Sequence, residues 1–277
     1  MKRHIVLTAI LVGVLLTLLA VAPGCGKAPR ENPPPTPATT HDQVESGPRF
    51  SFIVCGDPQN NYEVLGKVLE AATSVDFLVI AGDVTGSGTA TEFANFVDAM
   101  ERSGVRYYCV PGNHDVATSP VDENYRRYLG APYQSFNYEN CHFALIDNGT
   151  PGRGFYPAEG QWLKSDLEAA RDGGFDHVFA VCHVPPGYPY SPRPDPEQAA
   201  GMEANENLIP ILAEGGVEKL FCGHFHAYRQ FEEDGVLVTI TGGAGAPLHA
   251  GEAYGGYFHY ILVEIAGKQR TQEVVRI

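Results

Sequence analysis

From residue 50 onward the chain is punctuated by short apolar runs, and five of them lead straight into Asp, Asn or His. Phe50–Cys55 stops at Gly56-Asp57-Pro58-Gln59, Phe77–Ala81 at Gly82-Asp83, and Val105–Val110 at Pro111-Gly112-Asn113-His114-Asp115. His177–Cys182 stops at His183, and Val217–Cys222 at Gly223-His224-Phe225-His226. Between the first three runs lie segments with helical spacing. Tyr62–Thr73 carries Val64, Leu65, Val68, Leu69 and Ala72 on one face, and Thr89–Arg102 carries Phe93, Phe96, Val97 and Met100. Strand, helix, strand, helix, strand predicts right-handed crossovers and a mostly parallel sheet, the α/β class. Residues 135–138 and 142–147 read as a hairpin around Glu139-Asn140. Glu159–Ala170 reads as a helix, and Ala199–Glu214 as a helix broken at Pro210. Val236–Thr241 and Tyr257–Ile265 close the pattern as strands.

The strand ends carry the chemistry. Ligand sites in open α/β sheets form beyond the carboxyl ends of the strands, so the sheet would gather these distant positions on one rim. A single Asp or His at a strand end is ordinarily a turn residue. Five such ends, all supplying carboxylate, amide or imidazole donors, point to bound metal.

In this order, Gly56-Asp57-x-Gln59, Gly82-Asp83, Gly112-Asn113-His114-Asp115, His183 and Gly223-His224-x-His226 resemble the signatures of the calcineurin-like metallophosphoesterases. The resemblance covers residues 50–265. It implies a metallophosphoesterase-type β-sandwich flanked by helices, four layers deep (α/β/β/α), around two divalent metal ions. Carried over residue by residue, it implies that Asp83 bridges the metals. Asp57, Gln59 and His226 would complete the first site, and Asn113, His183 and His224 the second. His114 would face the substrate as general acid and Asp115 would orient it. A metal-bridging hydroxide would attack a phosphoester of a phosphorylated small molecule or nucleotide, as monoesterase or diesterase.

Two departures qualify that picture. Gln59 stands where most members carry His, and in this it resembles the CPPED1-like branch. A neutral amide oxygen makes the first site harder, favouring Mn, Mg or Fe over Zn. Purple acid phosphatases carry a Tyr ligand three residues after the bridging Asp; here that position is Gly86. The alternatives are a catalytically silent binding or scaffold lipoprotein with this fold, and a single-metal phosphohydrolase.

The N-terminus reads as an address. Met1-Lys2-Arg3-His4 is basic, Ile5–Val21 is uncharged and apolar, and Ala22-Pro23-Gly24-Cys25 resembles a lipobox. The expected organisation is a signal peptide over 1–24, a lipidated Cys25 and Pro-rich linker over 25–48, and the phosphoesterase domain over 49–277. An uncleaved anchor and a released protein are the other readings. Export would leave the domain tethered on the outer side of the cytoplasmic membrane, or in the periplasm or outer membrane. The chain holds 33 acidic against 19 basic residues, a formal charge of −14, which argues against nucleic acid as partner.

Weaker substrate-binding candidates are Arg153, Tyr188, Arg193 and Arg229, with Arg126 and Arg127 behind them. Cys55, Cys109, Cys141, Cys182 and Cys222 read as buried thiols, with one disulfide or a metal-contacting thiolate as alternatives. Trp162 reads as a helix anchor, and His142, His177, His249 and His259 as structural. Gly242–Ala246 lacks the lysine and spacing of a P-loop and reads as a turn passing near the metals.

Overall fold

The computed structural model describes residues 47–117, 122–149, 157–187, 205 and 207–277. The signal segment, Cys25 and the linker up to residue 46, together with Arg153, Tyr188 and Arg193, lie outside them. No helix of the described residues is long and apolar enough to cross a membrane.

Eleven strands and five α-helices are described: β1 Arg49–Cys55, α1 Tyr62–Ala72, β2 Phe77–Ile80, α2 Ala90–Ser103, β3 Tyr107–Cys109, α3 Glu123–Leu129, β4 Gln134–Tyr138 and β5 Cys141–Leu145, followed by α4 Pro157–Gly173, β6 His177–Val181, α5 Leu208–Glu214, β7 Lys219–Cys222, β8 Tyr228–Glu233, β9 Val236–Thr241, β10 His259–Ala266 and β11 Gln269–Arg276. Local chemistry sets the helix ends. Asn61 caps α1 by accepting the Val64 N–H, and Thr89 with Glu92 forms a capping box on α2. Gly104, in left-handed conformation, stops α2.

The strands form two sheets, in the orders β11-β10-β1-β2-β3 and β4-β5-β6-β7-β9-β8. The central strands are parallel as expected: β1 with β2 with β3, and β5 with β6 with β7 with β9. Antiparallel strands finish both sheets, so the architecture is two mixed sheets rather than one parallel sheet. An aromatic core fills the space between them, including Phe52, Phe77, Phe143, Phe179 and Phe221. Phe52 stacks on Phe77 at 5.1 Å and meets Phe143 edge-on at 5.3 Å. A second core lies between the first sheet and α1, α2 and α3, and a third between the other sheet and α4 and α5. These are the expected four α/β/β/α layers.

Some elements differ from the sequence reading. Pro210 is the third residue of α5 and does not break it. In a first turn the missing N–H has no intrahelical acceptor to lose. Strands β8 and β11 escape a hydrophobic-pattern search because they are sheet edges with polar sequences, YRQFEE and QRTQEVVR. The turn-like α3 was missed as well; its buried anchor is Tyr125.

Candidate metal centre

All parallel strands of both sheets point their carboxyl ends to one rim. Asp57 follows β1, Asp83 follows β2, Asn113 follows β3, His183 follows β6 and His224 follows β7. The backbone turns sharply there: Asp57, Gln59, Asp83 and His224 all have left-handed φ, at 62°, 40°, 54° and 66°. That conformation costs a non-glycine residue about 1–2 kcal/mol, and it directs these side chains back over the rim. The glycines that precede Asp57, Asp83, Asn113 and His224 make the crowding possible. A Cβ on Gly82 would stand 2.5 Å from Nδ1 of His183, and one on Gly112 would overlap the Asp83 carboxylate.

The ring nitrogens are assigned by their carbonyl partners. Nδ1 of His183 lies 2.9 Å from the Ala81 carbonyl, which can only accept, so Nδ1 carries the proton. The Nε2 lone pair then faces Asn113 Oδ1 at 3.0 Å and Asp83 Oδ1 at 3.4 Å. His224 Nδ1 joins them, 2.8 Å from Asn113 Oδ1 and 3.1 Å from His183 Nε2. Burial, then the neighbouring His183, pushes the His224 ring down to about 3, so it is neutral.

The second group lies alongside. His226 Nδ1 is 2.7 Å from the Pro247 carbonyl, leaving Nε2 as a lone pair 3.3 Å from Asp57 Oδ1. Gln59 Nε2 lies 3.1 Å from Asp83 Oδ2 and 3.5 Å from His226 Nε2. Rotating that amide by 180° presents its oxygen instead. Donor atoms of Asp57, Asp83 and His226, all buried, fall within 4.8 Å of one another. Burial pushes the Asp57 carboxyl well above its ordinary range; His183 opposes that shift and Asp83 adds to it.

Asp83 therefore gives Oδ1 to one group and Oδ2 to the other. Both groups gather acceptor atoms with few protons between them, an arrangement that repels itself until a cation neutralises it. Carboxylate, amide oxygen and imidazole donors suit a divalent cation, so the residues fit a bound metal.

Beside this cluster opens a cleft of about 440 Å³ whose lining includes Asp83, Asn113, His114 and His224. His114 belongs to it as expected. Its backbone N–H donates to Asp83 Oδ1 at 2.9 Å, and its Nδ1 donates to the Gly86 carbonyl at 2.7 Å. That leaves Nε2 as the ring's remaining polar atom.

Several expectations are corrected. The partner of the His114 ring is the Gly86 carbonyl, not Asp115. The Asp115 carboxylate instead accepts the N–H groups of Gly112, Val84 and Thr85 and the Thr85 hydroxyl, at 2.9, 3.2, 2.8 and 2.8 Å. It ties the loop after β2 to the loop after β3. Arg229 is not among the residues lining the cleft. Its guanidinium bonds the carbonyls of Tyr228 and Tyr254 and lies 5.7 Å over the Phe225 ring. Arg126 pairs with Asp122, and Arg127 lies over Tyr128. His249, read as structural, lines the cleft and stacks on His226 with ring centroids 3.8 Å apart.

The five cysteines among the described residues are free and buried, with the Cys182 and Cys222 sulfurs 3.5 Å apart. The Gly242–Ala246 turn passes close as expected: the Ala246 N–H donates to the Asp57 carbonyl at 2.8 Å. The sequence reading also passed over Asn148. Its Oδ1 accepts the N–H of His183 at 3.0 Å and of Val184 at 2.9 Å. The signal was present, since Asp147-Asn148 closes the strand-length run that contains β5.

Two stacked sheets that gather carboxylates, imidazoles and amides at their strand ends form a site chemically suited to a divalent cation. The chain belongs to the calcineurin-like phosphoesterase family, whose profile matches residues 50–228.

Similar proteins include the serine/threonine-protein phosphatase CPPED1 of Danio rerio, 23% identical over 252 residues, 76% of this chain and 81% of that one. A probable glycerophosphodiester phosphodiesterase GpdQ of Arcobacter nitrofigilis is 35% identical over 189 residues, 63% of this chain and 64% of that one. Among solved structures, purple acid phosphatase PPD1 from yellow lupin shares the fold with a TM-score of 0.65 at 13% identity. That likeness covers 83% of this chain and 52% of the lupin chain, so the present chain spans about half the lupin protein's length.

Proposed function

We propose that the protein hydrolyses phosphoesters of small molecules or nucleotides with two divalent cations. Asp57, Gln59 and His226 would hold one, Asn113, His183 and His224 the other, and Asp83 would bridge them. The observation that carries this reading is the division of Asp83, one carboxylate oxygen facing each donor group. Paired divalent cations neutralise phosphoryl oxygens and make bound water acidic enough to attack near neutral pH.

This chain's own groups do the rest. The Gly86 carbonyl holds His114 Nδ1–H, so a protonated ring presents its second N–H at Nε2. That N–H protonates the departing ester oxygen, a contribution of about 10²–10⁴-fold. Asn148 fixes the backbone of His183, and the carbonyls of Ala81 and Pro247 fix the tautomers of His183 and His226. The likeness to a probable glycerophosphodiester phosphodiesterase supports a diester substrate, and the likeness to a serine/threonine phosphatase supports a monoester.

The test is turnover of p-nitrophenyl phosphate, bis-p-nitrophenyl phosphate and nucleotides by the Mn²⁺-loaded protein, with metals counted per chain. Chelation and Asp83→Asn should abolish turnover. His114→Ala should keep both metals and lose activity by about 10²–10⁴-fold. Absence of turnover on every substrate and metal would leave the silent scaffold reading, and one metal per active chain the single-metal reading.

The export reading belongs to the same proposal. Cys25 would carry lipid and the proline-rich segment would hold the domain off the membrane. Labelling with a fatty-acid analogue, lost in Cys25→Ser, tests it.

A further inference from the structure

The segment after the Gly242–Ala246 turn wraps around His226 through three hydrogen bonds. The Pro247 carbonyl accepts from His226 Nδ1 at 2.7 Å, and the His226 carbonyl accepts the His249 N–H at 3.0 Å. The His226 N–H donates to His249 Nδ1 at 3.3 Å. A nitrogen that accepts an N–H carries no proton, so the neutral His249 ring keeps its proton on Nε2. The ring is held by this bond at one nitrogen and by stacking on His226, rings 3.8 Å apart and 24° from parallel. It is exposed, lines the same cleft as His114, and lies 5.7 Å from the Phe225 ring centroid.

We propose that His249 is a substrate-contacting residue whose Nε2–H donates a hydrogen bond to a phosphoryl oxygen of the bound ester. The inference deepens the phosphohydrolase reading and rests on it. His226 needs only the Pro247 carbonyl to set its tautomer, so the ring of His249 is not required for that task. Its fixed donor at the cleft wall supplies what a phosphoryl oxygen accepts. The His226 wall then contributes one N–H, and the Asn113–His114 loop contributes another.

The experiment compares the full chain, Mn²⁺-loaded, with His249→Phe and His249→Gln. Phe keeps an aromatic ring over His226 and removes the N–H; Gln restores an N–H donor on a side chain of similar reach. Inorganic phosphate binding is measured by calorimetry, metal per chain by elemental analysis, and kcat/KM with p-nitrophenyl phosphate. His249→Phe should bind phosphate about 10- to 100-fold more weakly with unchanged metal content, since a hydrogen bond to a charged partner is lost. His249→Gln should recover part of that loss, and kcat/KM should follow the phosphate affinity. Phosphate affinity within about twofold of the unaltered protein would overturn the proposal, as would a loss of metal in His249→Phe that accounts for the weakened binding. An unaltered protein that fails to bind phosphate would overturn it too. Turnover separates the two readings: a protein that binds phosphate through His249 yet cleaves no ester would refute the hydrolase and keep this contact.

Discussion

Replacing Asp115 by asparagine removes one acceptor oxygen from a buried carboxylate that four donors share. Two of those donors, Gly112 N–H and Val84 N–H, meet Oδ2; the Thr85 N–H and hydroxyl meet Oδ1. The new amide nitrogen must face one pair. Facing Thr85 is less unfavourable, because the hydroxyl can rotate and accept while only the Thr85 N–H stays buried without a partner. One such orphan costs about 1–3 kcal/mol. In a domain of this size that lowers the melting temperature by about 2–4 °C per kcal/mol. Asp115→Ala orphans three backbone N–H donors and should fall roughly three times as far. Burial, then the charge of Asp83, pushes the Asp115 carboxyl up to about 7, so the melts belong at pH 8, where it is ionised. Metal binding should weaken with stability, since the two loops that Asp115 joins carry Asp83 and Asn113. The assay is thermal melting by circular dichroism, with metal content measured on the same samples. An asparagine variant that melts within about 1 °C of the unaltered protein would refute the loop-staple account. Activity lost at unchanged melting temperature and metal content would instead restore a direct role for Asp115 on His114.

Three further outcomes are expected. Gln59→His should raise Zn²⁺ and Mn²⁺ occupancy in competition dialysis, because imidazole is the stronger donor for later transition metals; unchanged occupancy would remove Gln59 from the ligand set. The Glu159 carboxyl accepts the Asp147 N–H at 2.7 Å, but burial outweighs that bond and pushes it up to about 8. The fold therefore holds this proton more tightly than the unfolded chain does. Its stabilising contribution is complete below about pH 4 and is lost as pH rises through about 8. Glu159→Gln should flatten the decline in melting temperature between these limits, and parallel profiles would contradict the assignment. Finally, all five cysteines of the described domain are thiols, so peptide mapping without reductant should find each one alkylated; a Cys182–Cys222 cross-linked peptide would contradict this.

The rim was legible in the sequence because parallel strands are buried on both faces. Their apolar runs stop abruptly, and the polar residue at each stop stands out, as at Ile80-Ala81-Gly82-Asp83. His249 sits after no strand and within no motif. Its place depends on a turn that folds back onto His226 through backbone hydrogen bonds, which leave no residue-type signature. The role of Asp115 was misread for a related reason. The resemblance implied that Asp115 orients His114, whereas its side chain serves amides contributed mainly from thirty residues earlier. Edge strands β8 and β11 were invisible because their polar sequences are what keep exposed edges from pairing with other chains.

The left-handed backbone at Gln59 and His224 has a practical corollary for anyone engineering this domain. Glycine relaxes such torsions, so a library sorted only for survival on heating is biased toward Gly at these two positions. Clones enriched that way would have discarded side chains proposed to bind ions, and heat selection must therefore be run with divalent ion present and its capture scored.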